Sequence, residues 1–413
     1  MERPSPPAIA ATLLFVAGLA VAVGLTAGVV PSDGAASPTL DTPGEETGVL
    51  STPVSAADPP YLAPPPETVT REEYIQPGID VSAAAASDSQ QLQSEHSATT
   101  FETQFTTVAD PEAFVESFVA NVSARAEALD DQHAQLLVEY RDGEISTRTL
   151  LRELVRLGAA VTEQQRLADR VETTVEATED VTLSRAVREQ FAALDDEIPA
   201  LESPVVDKLI DGGFEPGAAV YAQAGAEGVV LVAPDGTHHQ RQATLRGQRD
   251  RNGTNQFVEE AGEDENPFSL AAERARALYG ENIGLFPPPF GATTVYGIQG
   301  TITGGDFRAY LDGATENVFH ERQTVAVEEV PVTTSRNHRL GTLELVVNAT
   351  VPTGPMQVSV TDAGEPVEGA AIQVANQTAG TTDANGQRWV VQPLDGAEVS
   401  VTVDDLTVSV TLP

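Results

Sequence analysis

Histidine is the first residue type to search for chemistry, because it serves both as a metal ligand and as a proton carrier near neutral pH. The only adjacent pair is His238-His239. It lies in a predicted strand, where successive side chains point to opposite faces, so the two rings cannot easily share one metal ion. We therefore expect two exposed strand histidines. The other histidines show no ligand-like spacing and are His96, His133, His320 and His338.

Other catalytic motifs are missing from the sequence. It contains no GxSxG nucleophile elbow, no phosphate-binding loop ending in Lys-Ser or Lys-Thr, and no dinucleotide fingerprint. It also has no cysteine, which excludes disulfides, thiolate catalysis and cysteine-ligated zinc. We predict no catalytic residue, no cofactor and no metal site. A carboxylate pair for glycoside hydrolysis stays open, because any pairing among 62 acidic residues is invisible in a sequence.

Two acidic stretches, 263–266 and 383–386, could offer oxygen ligands to calcium. Neither has the spaced ligands and closing glutamate of an EF-hand, so a solvated loop and a β-turn are the simpler interpretations. Four asparagines stand in Asn-x-Ser/Thr sequons, which accept N-linked glycans where they face the cell exterior. These candidate sites are Asn252, Asn376, Asn348 and Asn121.

The charge composition indicates a protein of a salt-loving organism. There are 62 Asp and Glu against 23 Lys and Arg, a formal net charge of −39, and Lys208 is the only lysine. At molar salt the Debye length is about 3 Å, so the carboxylates repel only near neighbours, whereas at low salt they would push the fold apart. The sequence has no basic patch with interleaved aromatic residues, so we predict no nucleic-acid partner.

The N-terminal segment predicts a membrane anchor. Residues 8–30 contain no charged residue over 23 positions, enough helix to cross a bilayer core. Arg3 precedes this segment and only acidic residues follow it closely, so the positive-inside rule places the N-terminus in the cytoplasm and the bulk outside the cell. The alternative is a cleaved signal peptide within residues 1–30, which would make the protein secreted.

The next region, 31–100, is rich in Pro, Ser, Thr and Asp and predicts a disordered stalk. A helical hairpin or three-helix bundle, with a coiled-coil-like heptad seam, should occupy 101–203. Asp110-Pro111 and Ser146 mark the starts of its long helices, and Gln164 fills one gap in the apolar seam of the second.

From about residue 204 the pattern changes to short strands around one helix, which predicts an α+β domain over 204–335. Asn266-Pro267 opens that helix and Gly280 ends it after Tyr279. Residues 340–413 read as short strands throughout and predict an all-β sandwich. The expected fold is therefore multidomain: helical bundle, then α+β, then β-sandwich.

Residues 305–315, GDFRAYLDGAT, followed by Val318 and by Glu321-Arg322-Gln323, resemble the closing hairpin of PepSY-like modules. The helix before them fits the same resemblance. PepSY-like modules occur in peptidase propeptides and envelope proteins, so the resemblance implies restraint or binding of a partner and transfers no catalytic residue.

Residues 364–370, GEPVEGA, and 381–389, TTDANGQRW, resemble the carboxypeptidase-regulatory or transthyretin-like β-sandwich. The whole arrangement, including 140–146, YRDGEIS, is similar to a family of uncharacterised membrane-anchored surface proteins of haloarchaea. That resemblance implies a cell-envelope location and brings no activity.

We therefore expect a non-enzymatic, single-pass surface protein that contacts the membrane through residues 8–30 and binds or organises envelope partners. One alternative is a regulator or inhibitor of an extracellular peptidase through residues 266–330. A carboxylate-dependent hydrolase is a further alternative. The three functions use the same domains and differ in the molecule that the protein binds.

Overall fold

The computed structural model describes only part of the chain, and the predicted anchor at 8–30 lies outside that part. Within the described part, no helix is both long enough and apolar enough to cross a membrane. The described residues are 62–76, 81–178, 181, 183–210, 217–234, 236–262, 265–281, 283–285 and 294–412.

The region expected to be a disordered stalk contains regular structure from residue 62 onward. A short 3-10 helix, Pro66–Thr68, leads into strand β1, Val69–Ile75, which pairs antiparallel with β2, Val220–Gly225. Helix α1, Val81–Phe105, follows. The stalk prediction is thus wrong for 62–76 and 81–100, because the polar composition hides apolar side chains that need a distant partner to bury them.

Two longer helices come next and start where their capping residues predicted. Helix α2, Pro111–Arg141, begins as the Asp110 side chain accepts a hydrogen bond from the Ala113 N–H (3.1 Å). Helix α3, Thr147–Glu176, begins with Ser146 accepting from the Thr149 N–H (3.2 Å). Such caps satisfy amide groups that have no partner within the helix. Helices α4, Arg185–Glu197, and α5, Pro204–Ile210, complete this part.

The helices share one apolar core. Phe101 of α1 stacks with Phe114 of α2 at a centroid distance of 5.5 Å, and both α1 and α2 pack along α3. Gln164 lies buried in the α3 seam and donates to the Val122 carbonyl of α2 (2.9 Å). A buried amide with a partner is tolerated in an apolar seam, which explains why the seam continues through this position.

One antiparallel sheet of eight strands organises the centre of the described chain. Its strand order is β1-β2-β3-β4-β8-β7-β6-β5. Two short helices, α6 and α7, lie in the connection between β4 and β5. The bounds are β3 Gly228–Pro234, β4 His238–Leu245, α6 Gln256–Ala261, α7 Pro267–Tyr279, β5 Ile283–Leu285, β6 Val295–Ile302, β7 Gly305–Asp312 and β8 Val318–Ala326.

Both faces of this sheet are covered. On one face Ala222 and Leu231 belong to the same core as the helices α1 to α5. On the other face α7 packs over β6 and β7 through Ala271 and Ala275. A sheet that is buried on both sides loses the simple alternation of polar and apolar residues, and β2 and β3 are buried at every position.

The C-terminal part is an antiparallel β-sandwich, as the run of short strands predicted. One sheet has the order β12-β11-β10-β9, with β15 also paired to β11, and the other has the order β14-β13-β16-β17. Inward-facing side chains such as Leu345, Val358 and Val401 form its core. The strands are β9 Thr334–Leu340, β10 Leu343–Ala349, β11 Pro355–Asp362, β12 Glu365–Pro366, β13 Ala371–Val374, β14 Gln377–Thr381, β15 Gln387–Val391, β16 Glu398–Val403 and β17 Leu406–Thr411.

The sandwich is bonded to the central sheet through β1. The Gln377 side-chain amide accepts from the Tyr74 N–H (3.0 Å) and donates to the Glu72 carbonyl (2.9 Å). The Tyr74 hydroxyl donates to the Val391 carbonyl (2.7 Å). The Gln377 side chain therefore makes hydrogen bonds to the outer edge of β1 that a neighbouring strand would otherwise make.

Candidate functional site

A cleft of about 280 Å³ opens where the helices meet the central sheet. It is lined by the middle of α2, the 3-10 helix Pro199–Leu201, strands β4 and β8, and the loop that follows β4. Its walls include Ala200, Leu201 and Phe319. The polar lining residues are Asp130, Asp131, His133, Thr244, Arg246, Arg249, Asp250, Arg251, Asn252 and His320.

Ion pairs hold the arginine-rich loop against α2. Arg249 bonds to the Asp130 carboxylate, and Arg251 bonds to the Asp131 carboxylate (2.8 Å) and also pairs with Asp130. The Arg249 guanidinium further lies over the Phe319 ring, 4.6 Å from its centroid. These contacts fix the loop backbone on a helix, so the cleft has defined walls.

The turn between β7 and β8 supports the same loop from behind. The buried Asp312 carboxylate accepts from the backbone N–H groups of Asp250 (3.2 Å) and Thr315 (3.0 Å). The Thr315 hydroxyl donates to the Gln248 carbonyl (2.5 Å). The turn from Asp312 to Thr315, at the end of the PepSY-like stretch 305–315, thus positions the cleft loop.

Two buried histidines, His133 and His320, line the cleft. His133 is 6% exposed and makes no hydrogen bond or ion pair with any residue that the structure describes. His320 is 2% exposed, and its Nδ1 lies 2.8 Å from the Thr244 hydroxyl oxygen. Two polar rings without full partners, in a cavity large enough for a small molecule, are typical of a binding site.

Burial and the nearby arginines keep both imidazoles neutral. Burial lowers the pKa of His133 to about 4, and repulsion by Arg246 and Arg249 adds to the effect. The pKa of His320 is also lowered well below its usual value, mainly by burial and then by Arg322 and His133. Each ring therefore offers one N–H donor and one nitrogen acceptor near neutral pH.

Arg246 is the cleft's available cation. Within the described chain its guanidinium has no hydrogen bond or ion pair, whereas Arg249 and Arg251 are paired with carboxylates. Burial lowers the pKa of Arg246, followed by repulsion from Arg249, while Asp131 raises it. Arginine remains charged under such shifts, so one guanidinium is left to meet an anionic group.

The candidate glycosylation sites fall in different places. Asn252 is exposed at the cleft rim, and Asn376 is exposed beside β14 with a positive φ of 61°. Asn348, half-buried on β10, accepts a hydrogen bond from Ser335 (2.8 Å). Asn121 is exposed on α2 and donates to the Ser117 carbonyl (2.7 Å). The structure brings only Asn252 to the cleft.

The adjacent histidines His238 and His239 do not form one site. The two side chains lie on opposite faces of β4, as expected, but only His238 is exposed. The expectation that both would be exposed is wrong for His239, which is 1% exposed because the sandwich side covers that face of the sheet. Among the residues that the structure describes, no group of three or more metal-ligating side chains occurs.

The acidic stretch 383–386 forms a turn. Its Asp383 carboxylate accepts from the backbone N–H groups of Asn385 and Gln387, both at 2.9 Å. Both bonds end on Oδ1, so this carboxylate caps the turn. In the other stretch, residues 263 and 264 lie outside the described residues.

Sequence reasoning missed the cleft because its residues come from four separate segments. His133 and His320 are far apart in the chain and show no ligand-like spacing. The one available signal was the cluster Arg246, Arg249 and Arg251 directly after a strand, in a chain otherwise dominated by acids.

Three models of known families match parts of the chain. Residues 1–212 match the model described as "Domain of unknown function (DUF7096)", and residues 220–331 match "Family of unknown function (DUF7094)". Residues 334–410 match "Archaeal fibronectin-III type-like domain". The last match confirms a β-sandwich and names a different family from the carboxypeptidase-regulatory one. No curated protein and no solved structure gives a significant match.

The cleft draws its residues from two of these regions. Asp130, Asp131 and His133 lie within the first match, while the arginine loop and His320 lie within the second. Because the first model matches just over half of the 413 residues, the chain belongs to the DUF7096 family.

Proposed function

We propose that this protein is a non-enzymatic cell-surface protein of a haloarchaeon that binds an envelope partner through the arginine cleft. The observation that supports this most is the pairing pattern inside the cleft. Two arginines fix its loop to α2, and Arg246 and His133 are left without partners among the described residues. Unsatisfied polar groups around a preformed cavity favour ligand binding.

The carboxylates of the cleft support binding over catalysis. Asp130 is bonded to two arginines and Asp131 to one. The adjacent Asp312 receives two backbone N–H groups. General acid-base catalysis needs a carboxyl that can exchange a proton near the working pH, whereas these groups are engaged in holding the loop.

The proposed location follows from composition and from the family descriptions. The net charge of −39 with one lysine suits a cell at molar salt, and the C-terminal match is to an archaeal domain. The uncharged segment 8–30 is the proposed single membrane pass, with the described domains on the outer side. Exposed Asn252 and Asn376 are then the proposed glycosylated sequons.

A capture experiment tests the binding function. The full chain would be crosslinked in cells at molar salt, solubilised and purified, beside an Arg246→Gln variant. Arg185→Gln is the matched control, because Arg185 lies exposed on α4, away from the cleft, and pairs with Glu189. We expect a partner that the control retains and Arg246→Gln loses. Equal recovery with both variants would argue against the cleft as the binding site.

Regulation of an extracellular peptidase is the second proposal. Helix α7 packed on strands β5 to β8 has the helix-then-hairpin order that the PepSY-like resemblance implies. The purified chain should then slow or restrain secreted proteolysis of the host, measured with a casein substrate at molar salt. Unchanged proteolysis over a wide concentration range would count against this version and leave the cleft proposal standing.

A further inference from the structure

The cleft's unpaired groups point to a particular ligand class. Resting on the proposed binding function, we infer that the cleft takes an acidic sugar residue of the uronate type, a ring with one carboxylate and neighbouring hydroxyls. Three features of the site support this class: the number of free charges, the neutral hydrogen-bonding groups and the size of the cavity.

The pairing pattern of the charges favours a monoanion. The cleft holds three arginines and three aspartates. Asp130 and Asp131 bond to Arg249 and Arg251, and the Asp250 carboxylate accepts from the Asn252 N–H (3.0 Å). That leaves Arg246 as the guanidinium without a partner in the described chain. A guanidinium and a carboxylate match as a planar, two-bond pair. A doubly charged phosphate would need a second free cation.

The remaining polar groups suit hydroxyls. The neutral His133 ring, with no bond to any described residue, can donate through one nitrogen and accept through the other. The buried Nε2 of His320, also without a hydrogen-bond partner among the described residues, is a second neutral group of this kind. A sugar hydroxyl also both donates and accepts, so each of these groups can pair with one.

Size and salt give the third argument. The cavity of about 280 Å³ has room for a single ring and its substituents. At molar salt, a ligand that was bound through its charge alone would have to compete with abundant chloride for the site. Hydrogen bonds to ring hydroxyls are what would let a ligand at Arg246 outcompete a halide ion.

Binding measurements with defined probes test this class. The full chain in about 1 M KCl would be titrated with glucuronate, glucose and acetate by calorimetry and ligand-observed NMR. We expect glucuronate to bind at least about tenfold more tightly than either probe, because glucose lacks the charge-assisted contact and acetate lacks the hydroxyl contacts. Arg246→Gln should weaken glucuronate binding by a similar factor, and Arg185→Gln should leave it unchanged.

A second variant separates the hydroxyl contacts from the charge contact. His133→Gln should weaken glucuronate several-fold and leave the weak acetate binding as it is. Circular dichroism at molar salt checks that each variant is folded.

Equal affinity for acetate and glucuronate would overturn the sugar class. So would tighter binding of a short peptide with a free C-terminal carboxylate. If no probe binds while capture of a partner still depends on Arg246, the sugar class is wrong and the proposed function stands. If glucuronate binds through Arg246 and no partner is captured, the inference stands and the proposed function fails.

Discussion

The Arg241 guanidinium lies 3.5 Å from the Glu321 carboxylate, and both side chains are completely buried. Between them they hold the backbone of one residue. Glu321 accepts from the Leu62 N–H (2.8 Å), and Arg241 donates to the Leu62 carbonyl (2.6 Å). The Tyr279 hydroxyl of α7 donates to the second oxygen of Glu321 (2.7 Å). We call Leu62, Arg241, Glu321 and Tyr279 the Leu62 clamp.

Removing one charge of the Leu62 clamp should destabilise the protein strongly. Glu321→Gln leaves Arg241 buried beside a neutral group, and breaking a buried pair in this way costs about 3–5 kcal/mol. The free energy of unfolding, measured with denaturant at molar salt, should fall by that amount. Replacing both residues, Arg241→Met with Glu321→Leu, should recover part of the loss, because no buried charge is then unpaired, while the Leu62 backbone and the Tyr279 hydroxyl lose these partners. Equal losses in the single and double variants would contradict this explanation.

The buried His133 should make stability depend on pH. Its pKa is about 4 in the folded protein against about 6.5 in an unfolded chain, so the unfolded state takes up a proton first as the pH falls. Stability is complete above pH 6.5, is lost progressively towards pH 4, and shows no further loss from this group below that. The expected loss is on the order of 3 kcal/mol.

The variant His133→Gln tests that dependence. Its stability should fall less than that of the wild type between pH 7 and pH 4, in parallel denaturant titrations. His96→Gln is the control, since His96 is exposed on α1. Identical pH profiles for the wild type and His133→Gln would show that the ring is not held neutral.

Gln377 should control docking of the sandwich. Its amide bonds the Tyr74 N–H and the Glu72 carbonyl of β1, and Gln377→Ala would leave two partly buried backbone groups unsatisfied, at about 1–3 kcal/mol. Hydrogen exchange should rise in β1 and β14 and stay unchanged in the sandwich core. Gln373→Ala, at an exposed position of β13, is the matched control. Protection equal to wild type in β1 would contradict the assigned role.

Salt should decide whether the fold persists. With a net charge of −39, we expect circular dichroism to show the folded chain at molar salt and unfolding on dialysis to about 0.1 M, where the Debye length is near 10 Å. A spectrum unchanged by dialysis would refute the proposed adaptation to high salt.

Local signals in the sequence predicted several elements well. Asn266-Pro267 and Gly280 bracket α7, Pro267–Tyr279, at its observed bounds. Asp110 and Ser146 cap α2 and α3 as expected. These features depend on side chains within a few residues of each other, so a sequence contains the necessary information.

Long-range features could not be predicted in the same way. Strand β1 forms because β2, which lies far along the chain, provides its hydrogen-bonding partner, with Tyr74 opposite Tyr221. In a strand of alternating polar and apolar residues, charged side chains such as Arg241 and Glu321 are expected to face solvent. Here α7 and the sandwich cover that face. The cleft likewise exists only once α2, β4 and β8 have come together.

The Leu62 clamp has a mechanical consequence. Its two charged residues stand on β4 and β8, which are neighbours in the middle of the central sheet. A pulling force that reaches Leu62 from its N-terminal side would therefore be taken up by the two central strands before it reached the edge strand β1. Tension on the preceding chain would spread through the sheet's interior and would not peel the domain open from its margin.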